Sequence, residues 1–152
     1  MSDWRNEIEQ ALADFLTVAN LAGHPMSPGE LECEFLPAPH RAPSRLPTGR
    51  MAVYCFWSGG SWLKVGKAGP NSQARYTSQH YNPGSAASNL AASLLRDGRM
   101  KTVDGFTNAM PGDWIKASCC RVNVLIPTQM RRELLSLLEA FLHARLMPRY
   151  EG

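Results

Sequence analysis

The 152-residue sequence predicts an α+β domain, a small antiparallel sheet flanked by helices. Two short runs rich in Val, Tyr, Phe, Trp and Leu, Met51 to Trp57 and Trp62 to Lys67, are separated by Ser58-Gly59-Gly60-Ser61, the pattern of a β-hairpin. The segment Ile115 to Ile126 sets Val122, Val124 and Ile126 at alternate positions and stops at Pro127, which predicts a third strand. Apolar residues recurring at three- and four-residue steps near both ends of the chain predict the helices.

The first helix runs from Trp4 to Ala19, with Ser2 or Asp3 placed to cap it, and ends by Gly23. From Leu36 to Gly49 the sequence LPAPHRAPSRLPTG alternates proline with small or basic residues, which forbids helix and central strand alike. Residues 1–50 therefore read as a helix and a proline-rich connector packed on the core, and residues 51–152 as the domain proper. A three-residue turn at Ser58-Gly59-Gly60 would place Tyr54 opposite Lys64 and send Val53, Cys55, Leu63 and Val65 to the other face. Asn71 to His80 reads as a short helix capped by Asn71, and Ser85 to Arg96 as an alanine-rich helix stopped at Asp97-Gly98. Thr128 opens a long helix to about Leu146.

Charge is unevenly spread. Residues 1–50 hold four Lys/Arg against seven Asp/Glu, a net −3, whereas residues 51–152 hold twelve against six, a net +6. The larger part thus has the sign of a nucleic-acid partner. The four cysteines form no CxxC pair and have no histidine at ligand spacing, which argues against structural zinc and for free thiols in a reducing, cytoplasmic setting. No basic flank leads into an apolar run, and no run reaches membrane-spanning length, so a soluble protein is expected.

The last helix is apolar around most of its circumference, and its polar exceptions, Arg132, Ser136, Glu139 and His143, fall on one stripe. That stripe is either a solvated face or the wall of a cleft, in which Glu139 could hold Mg²⁺, a cation that keeps several waters of its own. Tyr54 is either a packing residue or, beside the Lys64 ammonium, a phenol with a lowered pKa that takes a proton from water. Arg75 suits a phosphate because its planar fork pairs with two oxygens, or else it is a surface ion pair. His80 could relay a proton or simply cap its helix.

Taken together these residues resemble the active site of the GIY-YIG nucleases. Ala52-Val53-Tyr54 stands for the first tripeptide and Lys64-Val65-Gly66 for the second, while Arg75 and Glu139 stand for the family's arginine and metal-binding glutamate. The resemblance covers roughly Met51 to Gly152. It implies a small α/β sandwich with a three-stranded antiparallel sheet between helices. It also implies an endonuclease that hydrolyses double-stranded DNA with one Mg²⁺ or Mn²⁺. Tyr54 would activate water, Lys64 would tune Tyr54, Arg75 would neutralise the phosphate, and the metal would stabilise the leaving oxygen. Lys67, Arg96, Arg99 and Lys101 would track the flanking backbone by charge. Two departures stand out: Lys64 replaces the second motif tyrosine, and the family's terminal asparagine is absent, leaving Tyr150 or Glu151 to take its place. A homodimer, or a protein partner contacted through residues 1–50, would supply specificity. The competing expectation is a noncatalytic DNA-binding or protein-interaction module on the same scaffold.

Overall fold

The computed structural model describes residues 3–85, 89–107 and 110–150. Helix α1 (Trp4–Leu21) is capped by Asp3, whose carboxylate accepts from the Arg5 and Asn6 amides. A 3₁₀ turn (Pro28–Glu30) and strand β1 (Glu32–Leu36) follow, and the proline-rich stretch then leads to the hairpin of β2 (Arg50–Ser58) and β3 (Ser61–Ala68). Next come the short helix α2 (Gln73–Thr77), a second 3₁₀ turn at Gln79–Tyr81, and α3 (Leu90–Arg96) with Asn89 as its cap. A third 3₁₀ turn (Gly98–Thr102), α4 (Pro111–Ser118), β4 (Cys120–Pro127) and α5 (Arg132–Leu146) complete the order. Among the described residues no helix is long and apolar enough to cross a membrane.

The α+β class stands, but the sheet has four strands rather than three, in the order β1-β4-β2-β3 and antiparallel throughout. The added strand comes from residues 1–50: Cys33 pairs with Val124 and Phe35 with Val122. Its two glutamates are exposed and its apolar residues only half-buried, so its five residues carry little strand signal.

Alternation along β2 and β4 divides the interior into two layers. Val53, Cys55, Val122, Val124 and Ile126 face α1 and α5, while Tyr54, Phe56 and Leu125 face α2, α3 and α4. The apolar side of α1 (Ile8, Ala11, Leu12, Phe15, Ala19) is therefore spent on the chain's own core.

The hairpin register differs from expectation. Gly59 and Gly60, both at positive φ (59° and 84°), form a two-residue turn, and a bulge near Phe56/Trp57 leaves Leu63 as the extra residue. Tyr54 consequently lies opposite Gly66, and Phe56 opposite Lys64; Leu63 turns to the layer of Tyr54 instead of joining Val65. Two helix boundaries also move. Ser72, not Asn71, occupies the N-cap of α2, which is only five residues long. The start of the expected third strand is helical, because Pro111 at the first turn favours a helix and Trp114 and Ile115 bury on it; strand alternation begins only at Cys120. In the expected Ser85–Arg96 helix, residues 86–88 lie outside the described residues and helix begins at Leu90.

At the sheet's edge, the C-terminal segment pairs along β3: the Arg149 and Tyr150 amides donate to the Trp62 and Leu63 carbonyls, each at 2.9 Å. Helix α4 rests on the Gln79–Tyr81 turn through Gly112, where an added Cβ would collide with the Tyr81 carbonyl oxygen. Since backbone must shift to admit that atom, Gly112→Ala should cost about 2–3 kcal/mol, read as a lowered midpoint in urea unfolding. An unchanged midpoint would show that α4 does not bear on the turn as described.

Candidate active site at the edge of the sheet

Helix α5 buries Leu134, Leu135, Leu138, Leu142 and Leu146 in the layer it shares with α1. Its polar stripe is thereby rotated toward the exposed edge of β3, where a cleft of about 620 Å³ opens. Arg132, Ser136, Glu139 and His143 all line this cleft, facing Lys67 of β3 and Arg75 of α2. Glu139 is partly shielded, at 22% side-chain exposure, and accepts from the Lys67 ammonium at 3.3 Å. The walls are tied to the edge strand by side chains: the His143 Nε2–H donates to the Val65 carbonyl at 3.1 Å and the Arg75 Nε–H to the Lys67 carbonyl at 3.0 Å.

Tyr54 lies just behind this edge with none of its surface exposed. Its ring fills the space that a side chain at position 66 would need, for a Cβ on Gly66 would sit 2.8 Å from the Tyr54 hydroxyl. The glycine of the second tripeptide thus lets the phenol lie across β3. Burial pushes the Tyr54 pKa up to about 12, against the opposing pull of Arg75 and Arg121 and with a further upward push from Glu139. Lys64 is opposite Phe56 and is not among these influences, so the expected lowering of the Tyr54 pKa by Lys64 does not hold.

His80 has a fixed tautomer. The Leu90 amide donates to its Nδ1 at 3.1 Å, which leaves the ring proton on Nε2, and Nε2 lies 2.6 Å from the Tyr54 hydroxyl. Burial, then Arg121, Arg75 and Lys64, lower its pKa to about 3. His80 is therefore a neutral donor to the Tyr54 oxygen, and the phenol's own proton is free to turn elsewhere.

Arg121 of β4 had no place in the expected site. It is fully buried, with its guanidinium carbon 5.1 Å from the Tyr54 ring centre, 5.2 Å from Phe56 and 4.9 Å from Tyr76. Its nitrogens donate to Asn123 Oδ1 (2.8 Å), the Tyr76 carbonyl (2.7 Å) and the Tyr81 hydroxyl (3.2 Å), the last also within 2.7 Å of His40 Nε2. A signal was present: polar Arg121 and Asn123 alternate with Val122 and Val124 on a strand covered on both faces, so both had to be buried.

The remaining basic residues fall outside the cleft. Lys64 is 1% exposed, and its pKa is lowered by burial first and by Arg75 next, with Glu139 opposing and Arg96 adding to the decrease. A second concavity of about 400 Å³ is lined by Ser93, Arg96, Asp97, Arg99, Arg149 and Tyr150. There Arg99 forks onto Asp97 with two bonds of 2.9 Å, and Tyr150 donates to the same carboxylate at 2.5 Å. Those bonds hold the Asp97 carboxyl well below the usual range. Tyr150 is thus engaged away from Glu139, and Glu151 lies outside the described residues. Lys101 is exposed on the third 3₁₀ turn.

Among the described residues no three His, Cys, Asp or Glu side chains gather as metal ligands. The cleft offers one carboxylate, Glu139, flanked by Ser136. That set suits a hard cation taking its other ligands from water and phosphate, and not a zinc-type site.

Two outcomes follow from the Tyr54 environment. Gly66→Ala should lower stability by about 1–3 kcal/mol in thermal or urea unfolding, since a buried ring must move; a neutral result would mean that Tyr54 does not occupy that space. For His80 the folded pKa lies below the unfolded one, so its contribution is complete above pH 6.5 and falls as pH drops toward 3. Between pH 6.5 and 4.5 the wild type should lose about 2–3 kcal/mol more stability than His80→Gln. Equal losses would place a proton on His80 in the folded state.

Comparison of the chain with family models, with curated proteins and with solved structures finds no match.

Proposed function

We propose that the chain is a divalent-metal-dependent endonuclease that hydrolyses phosphodiester bonds of double-stranded DNA on a GIY-YIG-like scaffold. The observation that carries this reading is the direction of the α5 stripe: Glu139 shares one cleft with Arg75 and Lys67, and Tyr54 stands immediately behind Gly66. Three cationic side chains, Lys67, Arg75 and Arg132, against the single carboxylate of Glu139 favour a polyanion.

In this reading Glu139 holds Mg²⁺ or Mn²⁺, which when bound supplies Lewis-acid stabilisation of a phosphate oxygen. Arg75, fixed by its bond to the Lys67 carbonyl, presents its remaining donors to the scissile phosphate. With a cation held by Glu139, Lys67, now paired with that carboxylate, would be free to bind the phosphate backbone. Tyr54 receives the proton of the attacking water. Because burial keeps it a phenol at neutral pH, it works through the small phenolate fraction, steadied by the His80 Nε2–H and the Arg75 and Arg121 charges.

A noncatalytic DNA-binding module is favoured by one observation, the complete burial of Tyr54. Supercoiled plasmid with Mg²⁺ or Mn²⁺ separates the two. Nicking or linearisation by the wild type, lost at least a hundredfold in Glu139→Ala and Tyr54→Phe, is expected. Cleavage through Tyr54 should also rise about tenfold per pH unit from pH 7 to 9, the sign that a group with a higher pKa must lose its proton. Plasmid that is shifted on a gel yet never cut would establish the module instead.

A further inference from the structure

We infer that Arg132 is a second phosphate-binding residue of the cleft, holding a flanking phosphate of the strand whose scissile phosphate sits at Arg75 and Glu139. The inference rests on the nuclease reading and extends it to the length of strand that the cleft engages. Arg132 opens α5, and its guanidinium leans across the cleft mouth to the loop between β3 and α2: a Cβ on Gly69 would lie 3.8 Å from its Nη2.

Several guanidinium groups of the fold are engaged: Arg99 is forked onto Asp97, Arg145 is paired with Asp14 at 2.6 Å, Arg121 is enclosed by rings, and Arg75 gives one donor to the Lys67 carbonyl. Arg132, like Arg41, Arg45, Arg96 and Arg131, makes no hydrogen bond or ion pair through its side chain among the described residues, and of these five it is the one that lines the cleft. A planar fork with its donors unspent, on the same wall as the carboxylate, suits an incoming phosphate.

Spacing sets which phosphate it takes. Arg132 and Glu139 lie two turns apart on α5, about 10 Å along the axis. That is longer than the axial advance of one nucleotide, about 3.4 Å, so Arg132 takes a flanking phosphate and not the scissile one.

The test is binding of a fluorescent 20-base-pair duplex in a Glu139→Gln background, across a series of salt concentrations. Adding Arg132→Ala should weaken binding about fivefold at 0.1 M salt and reduce the slope of log K against log salt by about 0.9, the release of one phosphate contact. Arg132→Lys should keep the slope, and Arg145→Ala, at the far end of the same helix, should change neither quantity. If Arg132→Ala leaves slope and affinity unchanged while Arg75→Ala lowers both, the inference is overturned and the nuclease reading survives. If no variant and no background binds the duplex, both are overturned.

Discussion

A cation sealed from water organises the half of the molecule that holds Tyr54. The Arg121 guanidinium would cost several kcal/mol in an apolar interior if left without partners. Here the cost is offset by three aromatic faces and by bonds to Asn123, the Tyr76 carbonyl and the Tyr81 hydroxyl. Those partners are not scattered. Arg75 is the sequence neighbour of Tyr76, and His80 is the neighbour of Tyr81. By gripping two residues of the segment between β3 and α3, Arg121 sets where the guanidinium that enters the cleft and the imidazole that holds Tyr54 will stand. Neither α2 nor the 3₁₀ turn, at five and three residues, has enough hydrogen bonds of its own to do so.

The location of the cleft follows from the same division of the sheet into two faces. One layer is filled by leucines of α5 and by α1, the other by the aromatic cluster around Arg121. A polar group can meet both layers only where the sheet ends, and β3 is one of its two ends. Glu139 arrives from one side and Arg75 from the other, and Gly66, having no side chain, lets the Tyr54 ring lie against the edge strand. The arrangement thus brings together residues that lie on opposite faces of a strand.

Much of this could be read from residue order because it depends on local periodicity. The α5 stripe, the alternation in β4 and the capping by Asp3 are all short-range patterns. What escaped was decided at long range. Strand β1 forms because β4 offers it an edge, and its sequence ECEFL would be equally at home in a loop. The hairpin register turned on a single bulge, which no count of apolar faces distinguishes from a longer turn. The environment of Tyr54 depended on Arg121, which is far from it in sequence and becomes its neighbour only through the pairing of Tyr54 with Asn123 and Phe56 with Arg121. Lys64, nearer in sequence, pairs with Phe56 and not with Tyr54.

The outer edge of β3 has one more property. Its outward carbonyls at Trp62, Leu63, Val65 and Lys67 are taken by the Arg149 amide, the Tyr150 amide, His143 and Arg75 respectively. An edge strand with free acceptors is a template on which a strand from another molecule can grow, and on the opposite edge strand the charges of Glu32 and Glu34 oppose such growth. On β3 the guard is partly the cleft itself. Replacing Arg75 or His143 removes a side chain from the cleft and at the same time uncovers a carbonyl that invites strand addition. At this edge the chemistry of the cleft and the molecule's resistance to self-association are carried by the same side chains.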